Sequence, residues 1–140
     1  MKAKELRIGN YLQYDKRLHS VRGLDINHGL VLTPIEVPNQ GYPCVHLDTI
    51  KPIPLTEEWL LKFGFEEEHD EHGYGLVFKF KTTQDVFMKV IYEHEFRGLY
   101  LDKNMNKGFY GFRFSNIDYK YVHQLQNLFY ALCGEELTIK

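Results

Sequence analysis

The sequence predicts an α+β protein, with a strand-rich N-terminal part, an antiparallel sheet in the middle and a long helix at the end. Three observations carry this. Residues 118–133 have a clean helical period. Residues 76–114 alternate with a period of two. Residues 6–53 break into short apolar runs separated by turn residues.

The first part, 1–54, offers strands at Arg7–Tyr14, Leu18–Leu24, Gly29–Val37 and Cys44–Ile50. Between them lie Asp15-Lys16-Arg17, Asn27-His28-Gly29 and Pro38-Asn39-Gln40-Gly41, all turn chemistry. Short strands at this density suggest a small SH3-like β-barrel. Lys51-Pro52-Ile53-Pro54 marks the boundary, because two prolines favour an extended segment and cannot join a central ladder.

The second part, 55–140, opens with a helix. Thr56 suits its N-cap and Glu57-Glu58 suit its positive end. Trp59, Leu60 and Phe63 give it an apolar side, and Gly64 followed by Phe65 ends it. Glu66–Gly73 reads as a polar loop. An antiparallel four-stranded meander follows, with strands at 76–81, 86–92, 99–101 and 108–114 joined by short connections. Asp118–Cys133 then forms the long helix, capped by Asn116 or Asp118 and stopped by Gly134. Tyr121, Val122, Leu125, Leu128, Phe129 and Leu132 fall in a stripe about 120° wide, which is expected to pack on the sheet. Leu137 and Ile139 suggest a short terminal strand. The two parts are either separate modules or one unit.

Composition excludes some functions. The net charge is −2, with +2 on residues 1–54 and −4 on the rest, and no basic stripe of a general polyanion binder stands out. No run approaches a membrane span, and the N-terminus has no signal-peptide pattern, so a soluble cytoplasmic protein without membrane contact is expected. Cys44 and Cys133 are far apart in sequence and read as free thiols. Aromatic residues make up 15% of the chain, more than one small core needs, so some tyrosines are expected at the surface.

The runs Leu6-Arg7-Ile8-Gly9-Asn10-Tyr11 and Ile53–Phe65, with Tyr121–Leu128 and Gly134-Glu135-Glu136-Leu137, span nearly the whole chain. In these motifs it resembles a family of small uncharacterised proteins from gut bacteroidete genomes and their phages and mobile elements. The resemblance implies a single intracellular unit with an accessory or host-interaction role. It carries no catalytic residue over to this chain.

The chemistry legible in the residues is modest. No nucleophile, phosphate-loop or metalloprotease motif is present, so no catalytic residue and no cofactor are assigned. His69 and His72 lie in an acidic loop, but nothing nearby completes a metal site, and none is assigned. Lys107–Phe114 has the composition of an RNA-binding aromatic motif, yet Gly111 stands where its second stacking ring is needed. Two surfaces are left. Tyr119, His123, Gln126, Asn127 and Tyr130 fall outside the apolar stripe of the long helix and suit a protein interface. Lys79, Lys81, Lys89 and Arg113 share one face of the meander, with Val77, Phe87, Ile91 and Phe109 among them, and suit single-stranded nucleic acid. The leading expectation is a non-enzymatic interaction protein with an unidentified protein partner, homo-oligomers included; the alternative is a nucleic-acid-binding accessory protein.

Overall fold

The computed structural model describes residues 3–25, 29–37, 39–68, 76–83, 86–92, 96–102, 111–115 and 119–140. It divides the chain into two units, Met1–Pro54 with Tyr121–Leu132, and Leu55–Lys120 with Cys133–Lys140.

The first unit is built on four antiparallel strands in sequential order, β1 (Tyr11–Tyr14), β2 (Arg17–Asp25), β3 (Gly29–Pro34) and β4 (Cys44–Val45). They form an open sheet, not the closed barrel expected. After a 3-10 turn at Leu47–Thr49, Lys51 exchanges two backbone hydrogen bonds with Gln13, at 2.8 and 3.0 Å. That single bridge returns the chain to β1. Leu6, Leu12, Val21, Leu30, Leu32, Val45 and Ile50 form the core, with Tyr14 and Leu47 packed against it. Each fully buried aliphatic side chain contributes roughly 1.5–3 kcal/mol of transfer free energy.

The β1–β2 hairpin closes through a two-residue loop, since Tyr14 pairs with Arg17. A loop of this kind in the type I′ form needs positive φ at both central positions, which favours Asn-Gly. Here the positions are Asp15 and Lys16, with φ of 47° and 61°. The backbone geometry is that of a glycine turn, held by two charged side chains.

The long helix, α2 (Val122–Cys133), begins four residues later than its sequence suggests. Its first turn is closed by Gln124, whose Oε1 accepts from the Tyr121 N–H at 3.1 Å, the back-reaching half of a capping box. The expected caps, Asn116 and Asp118, lie outside the described residues. Leu125 and Phe129 are buried, as the stripe requires. However, α2 is grouped with residues 1–54 and not with 55–120.

The reason is polar. The side-chain amide of Gln126 accepts from the Tyr11 N–H at 2.8 Å and donates to the Gly9 carbonyl at 3.1 Å. It thereby acts as one peptide unit of a further strand on the free edge of β1. Asn127 donates to the Glu5 carbonyl at 2.6 Å and accepts from Asn10 Nδ2 at 2.9 Å. Asn10 Oδ1 in turn accepts from the Arg7 N–H at 2.7 Å.

In the second unit, the helix α1 (Glu57–Lys62) follows its sequence signals closely. Trp59, Leu60 and Phe63 are buried. Thr56 is the N-cap, although its side chain makes no capping bond. At the other end Gly64 takes φ 86°, Phe65 N–H reaches Leu60 C=O at 3.0 Å, and Gly64 N–H reaches Leu61 C=O at 2.9 Å. This is a Schellman stop, and only a residue at ease in left-handed conformation allows it.

The sheet of this unit has five antiparallel strands, not four: β5 (Glu66–Glu68), β6 (Leu76–Lys81), β7 (Phe87–Tyr92), β8 (Phe96–Asp102) and β9 (Gly111–Ser115). β5 is a run of three glutamates, a poor strand former by composition. It is tolerated because it is an edge, where charge is no penalty. Phe78, Met88 and Val90 are buried on one face. The expected terminal strand does not form; Leu137 is buried, and Lys140 N–H bonds to Lys62 C=O at 3.0 Å.

Two stability predictions follow from these contacts. Gln126→Ala leaves a buried N–H on Tyr11 without its acceptor, so urea denaturation should show a loss of about 2–3 kcal/mol. Replacing Asp15-Lys16 by Asn-Gly relieves the turn and should raise stability by about 1 kcal/mol, read as a thermal midpoint several degrees higher.

Candidate functional site

Burial of the long helix's second face removes most of the expected interface. His123 and Gln126 on the helix, and Tyr119, which lies before its start, are each at most 2% exposed, and Gln126 is held by backbone groups of residues 9 and 11. Burial also raises the Tyr119 hydroxyl pKa well above its ordinary value. Tyr130 alone stays open, at 42%, with the Arg7 guanidinium 3.7 Å from its ring centroid.

His123 is unusual among these. Both ring nitrogens are buried and, among the described residues, neither has a hydrogen-bond partner. Its ring stacks on Tyr121 at 5.8 Å. Burial lowers its pKa, and the Glu5 carboxylate opposes this without reversing it.

Backbone register aligns the positions of the expected basic residues. Lys79 pairs with Lys89, Lys89 with Tyr100, and Tyr100 with Arg113, so the backbone sets all four in one row; Lys81 lies two residues along β6. Two lysines directly opposite repel. Glu68 answers this, its carboxylate 2.6 Å from Lys89 Nζ and 3.8 Å from Lys79 Nζ. Lys79 and Lys81 also approach the Phe87 ring, at 4.7 and 5.7 Å. The sequence missed Glu68 because it placed that residue in a loop. His69, His72 and Lys107–Tyr110 lie outside the described residues.

A groove that the sequence did not suggest lies in the first unit. It holds about 370 Å³, within the range of ligand sites. One wall comes from the β1–β2 hairpin, with Tyr14, Asp15, Arg17 and His19; the other comes from Pro34 at the end of β3 and from Gln40, Tyr42 and Pro43 beyond it. Arg17 Nη1 donates to Gln40 Oε1 at 2.7 Å and ties the walls together. His19 is 4% exposed and meets Tyr14 edge-on at 5.6 Å. Its Nδ1 lies 3.1 Å from the Arg17 carbonyl. A carbonyl only accepts, so Nδ1 is the donor in this contact. Tyr42 remains 54% exposed with the Arg22 guanidinium 3.9 Å from its ring centroid.

The sequence did carry one signal of this site. A two-residue hairpin loop without glycine spends backbone strain on side chains. The rest was hidden, since residues 38–41 read only as a turn.

Both cysteines are free; Cys44 is exposed, and burial together with Glu135 raises the Cys133 thiol pKa, which disfavours a thiolate. Among the described residues no three metal-ligating side chains converge, and no helix is long and apolar enough to cross a membrane. Comparison with protein-family models, with curated proteins and with solved structures finds no match in any of the three.

The His123 environment has a pH signature. With its folded pKa depressed, the unfolded chain takes up the proton first as pH falls below the ordinary histidine value of about 6.5. Stability is therefore unaffected by this group above neutrality and is lost on acidification, at no more than about 1.4 kcal/mol per pH unit for one proton. Thermal midpoints measured from pH 7.5 to 5 should fall less steeply in His123→Phe than in the parent.

Proposed function

We propose that this protein is a non-enzymatic interaction protein of the cytoplasm that binds a partner polypeptide in the groove of its N-terminal sheet. The observation that carries the proposal is the groove itself. Two tyrosines and two prolines give it apolar walls, and a cross-braced arginine and a buried histidine give it a few fixed polar groups. Such a mixture suits a peptide's side chains and backbone better than it suits chemistry, since no nucleophile with an adjacent base stands in it.

Further support comes from the order of elements. The sheet is open, but its 3-10 turn between β4 and a bridge back to β1 resembles the element order of SH3-like modules, a scaffold that hosts many functions, interaction among them. The resemblance to small uncharacterised proteins of gut bacteroidete genomes and their phages and mobile elements is compatible with the same role.

The second reading is nucleic-acid binding by the row of Lys79, Lys89 and Arg113, with Lys81 beside it. Backbone register favours it; the carboxylate of Glu68 between the two lysines weighs against it.

Affinity capture from the native cell at low and high salt separates the two. Bound protein should persist at high salt and be lost with the double variant Arg17→Ala, Tyr42→Ala. Recovery of nucleic acid alone, released at high salt, would reverse the ranking.

A further inference from the structure

The rim of the groove carries two opposite charges that do not meet. Asp15 and Arg17 are two residues apart, on either side of the hairpin tip, and both line the groove. Arg17 is drawn to Gln40 across the groove. Among the described residues Asp15 forms no ion pair. Lys16, the other turn residue, does not line the groove. An anionic point and a cationic point thus stand beside the rings of Tyr14, His19 and Pro34, which also line the groove.

The backbone adds weight to this. Asp15 sits at φ 47°, where Asn or Gly is the ordinary choice, so its carboxylate is held at the rim at a conformational cost.

Resting on the reading that this groove receives a partner polypeptide, we propose that it recognises an extended peptide bearing a basic and an acidic residue two positions apart. In an extended chain such residues share one side at a spacing of about 6.7 Å. The basic residue meets Asp15, the acidic residue meets the guanidinium of Arg17, and an apolar residue further along the same side packs on the rings of Tyr14, His19 and Pro34. The exposed charge pairs supply direction and register; the apolar contact supplies most of the affinity.

A nucleic-acid strand fits the groove less well. It brings a phosphate at every step, whereas the lining offers one arginine and sets Asp15 against the next anion. A guanidinium already lies over the Tyr42 ring, where a base would compete to stack.

The test uses the full chain and fluorescence anisotropy with four labelled probes. Two peptides carry the charges in opposite orders, Ala-Lys-Ala-Glu-Ala-Leu-Ala and Ala-Glu-Ala-Lys-Ala-Leu-Ala. A third has Gln at both charged positions, and the fourth is an oligothymidylate of about ten nucleotides. One charge order should bind roughly ten-fold tighter than the neutral peptide and than the oligonucleotide. Arg17→Gln should erase that advantage, and the exchange Asp15→Arg with Arg17→Asp should transfer it to the opposite order. Circular dichroism confirms that each variant is folded.

Equal binding of the three peptides, binding of none, or preference for the oligonucleotide would overturn the inference. If the peptides fail while cellular capture still depends on Arg17 and Tyr42, the interaction reading survives and only the peptide chemistry falls.

Discussion

The first unit depends on one side-chain amide. β1 has a free edge at Gly9 and Tyr11, and no strand of the described chain lies against it there. Gln126 fills that place, accepting from one backbone group and donating to the other. A glutamine amide has the same donor and acceptor as a peptide bond, which is why it can stand in for a strand. It also explains a long-range arrangement: a helix from the end of the chain belongs with residues from its beginning, over 115 residues away in sequence. Asn127, next to it, repeats the device with Glu5 and Asn10.

This use of amides changes the meaning of the helix's polar side. On a solvent-facing helix, Gln and Asn are interchangeable with Lys and Glu. Here a charged residue would face a buried N–H and a buried carbonyl together and could satisfy only one of them. The uncharged amide satisfies both, so the position is structural. His123 shows the opposite case. It is equally buried, but its ring nitrogens find no partner among the described residues, and burial lowers its pKa.

The two surfaces that remain open differ in how their charges are used. On the five-stranded sheet, Glu68 brings a carboxylate to two lysines that would otherwise repel, so part of the row's charge is offset within the sheet. At the groove, Arg17 is braced by a neutral glutamine and keeps its charge uncancelled. A cation held in place by an uncharged neighbour is available to a ligand in a way that an ion-paired one is not. That contrast ranks the groove above the sheet as a binding site.

What the sequence determined by itself was local. The Schellman stop at Gly64, the apolar side of α1, the alternation of β6 and β7 and the stripe holding Leu125 and Phe129 all arise from residues within a few positions of one another. Their periods and caps are written in the chain. Tertiary structure decided the rest. The three glutamates of β5 become a strand only because β6 offers a partner edge. Gln126 becomes buried only because residues 9–11 arrive beside it. The groove exists because a hairpin tip and a loop some 20 residues later are brought together by Arg17 and Gln40. No local pattern encodes those meetings; each depends on which backbone groups are left without a partner once the strands have paired.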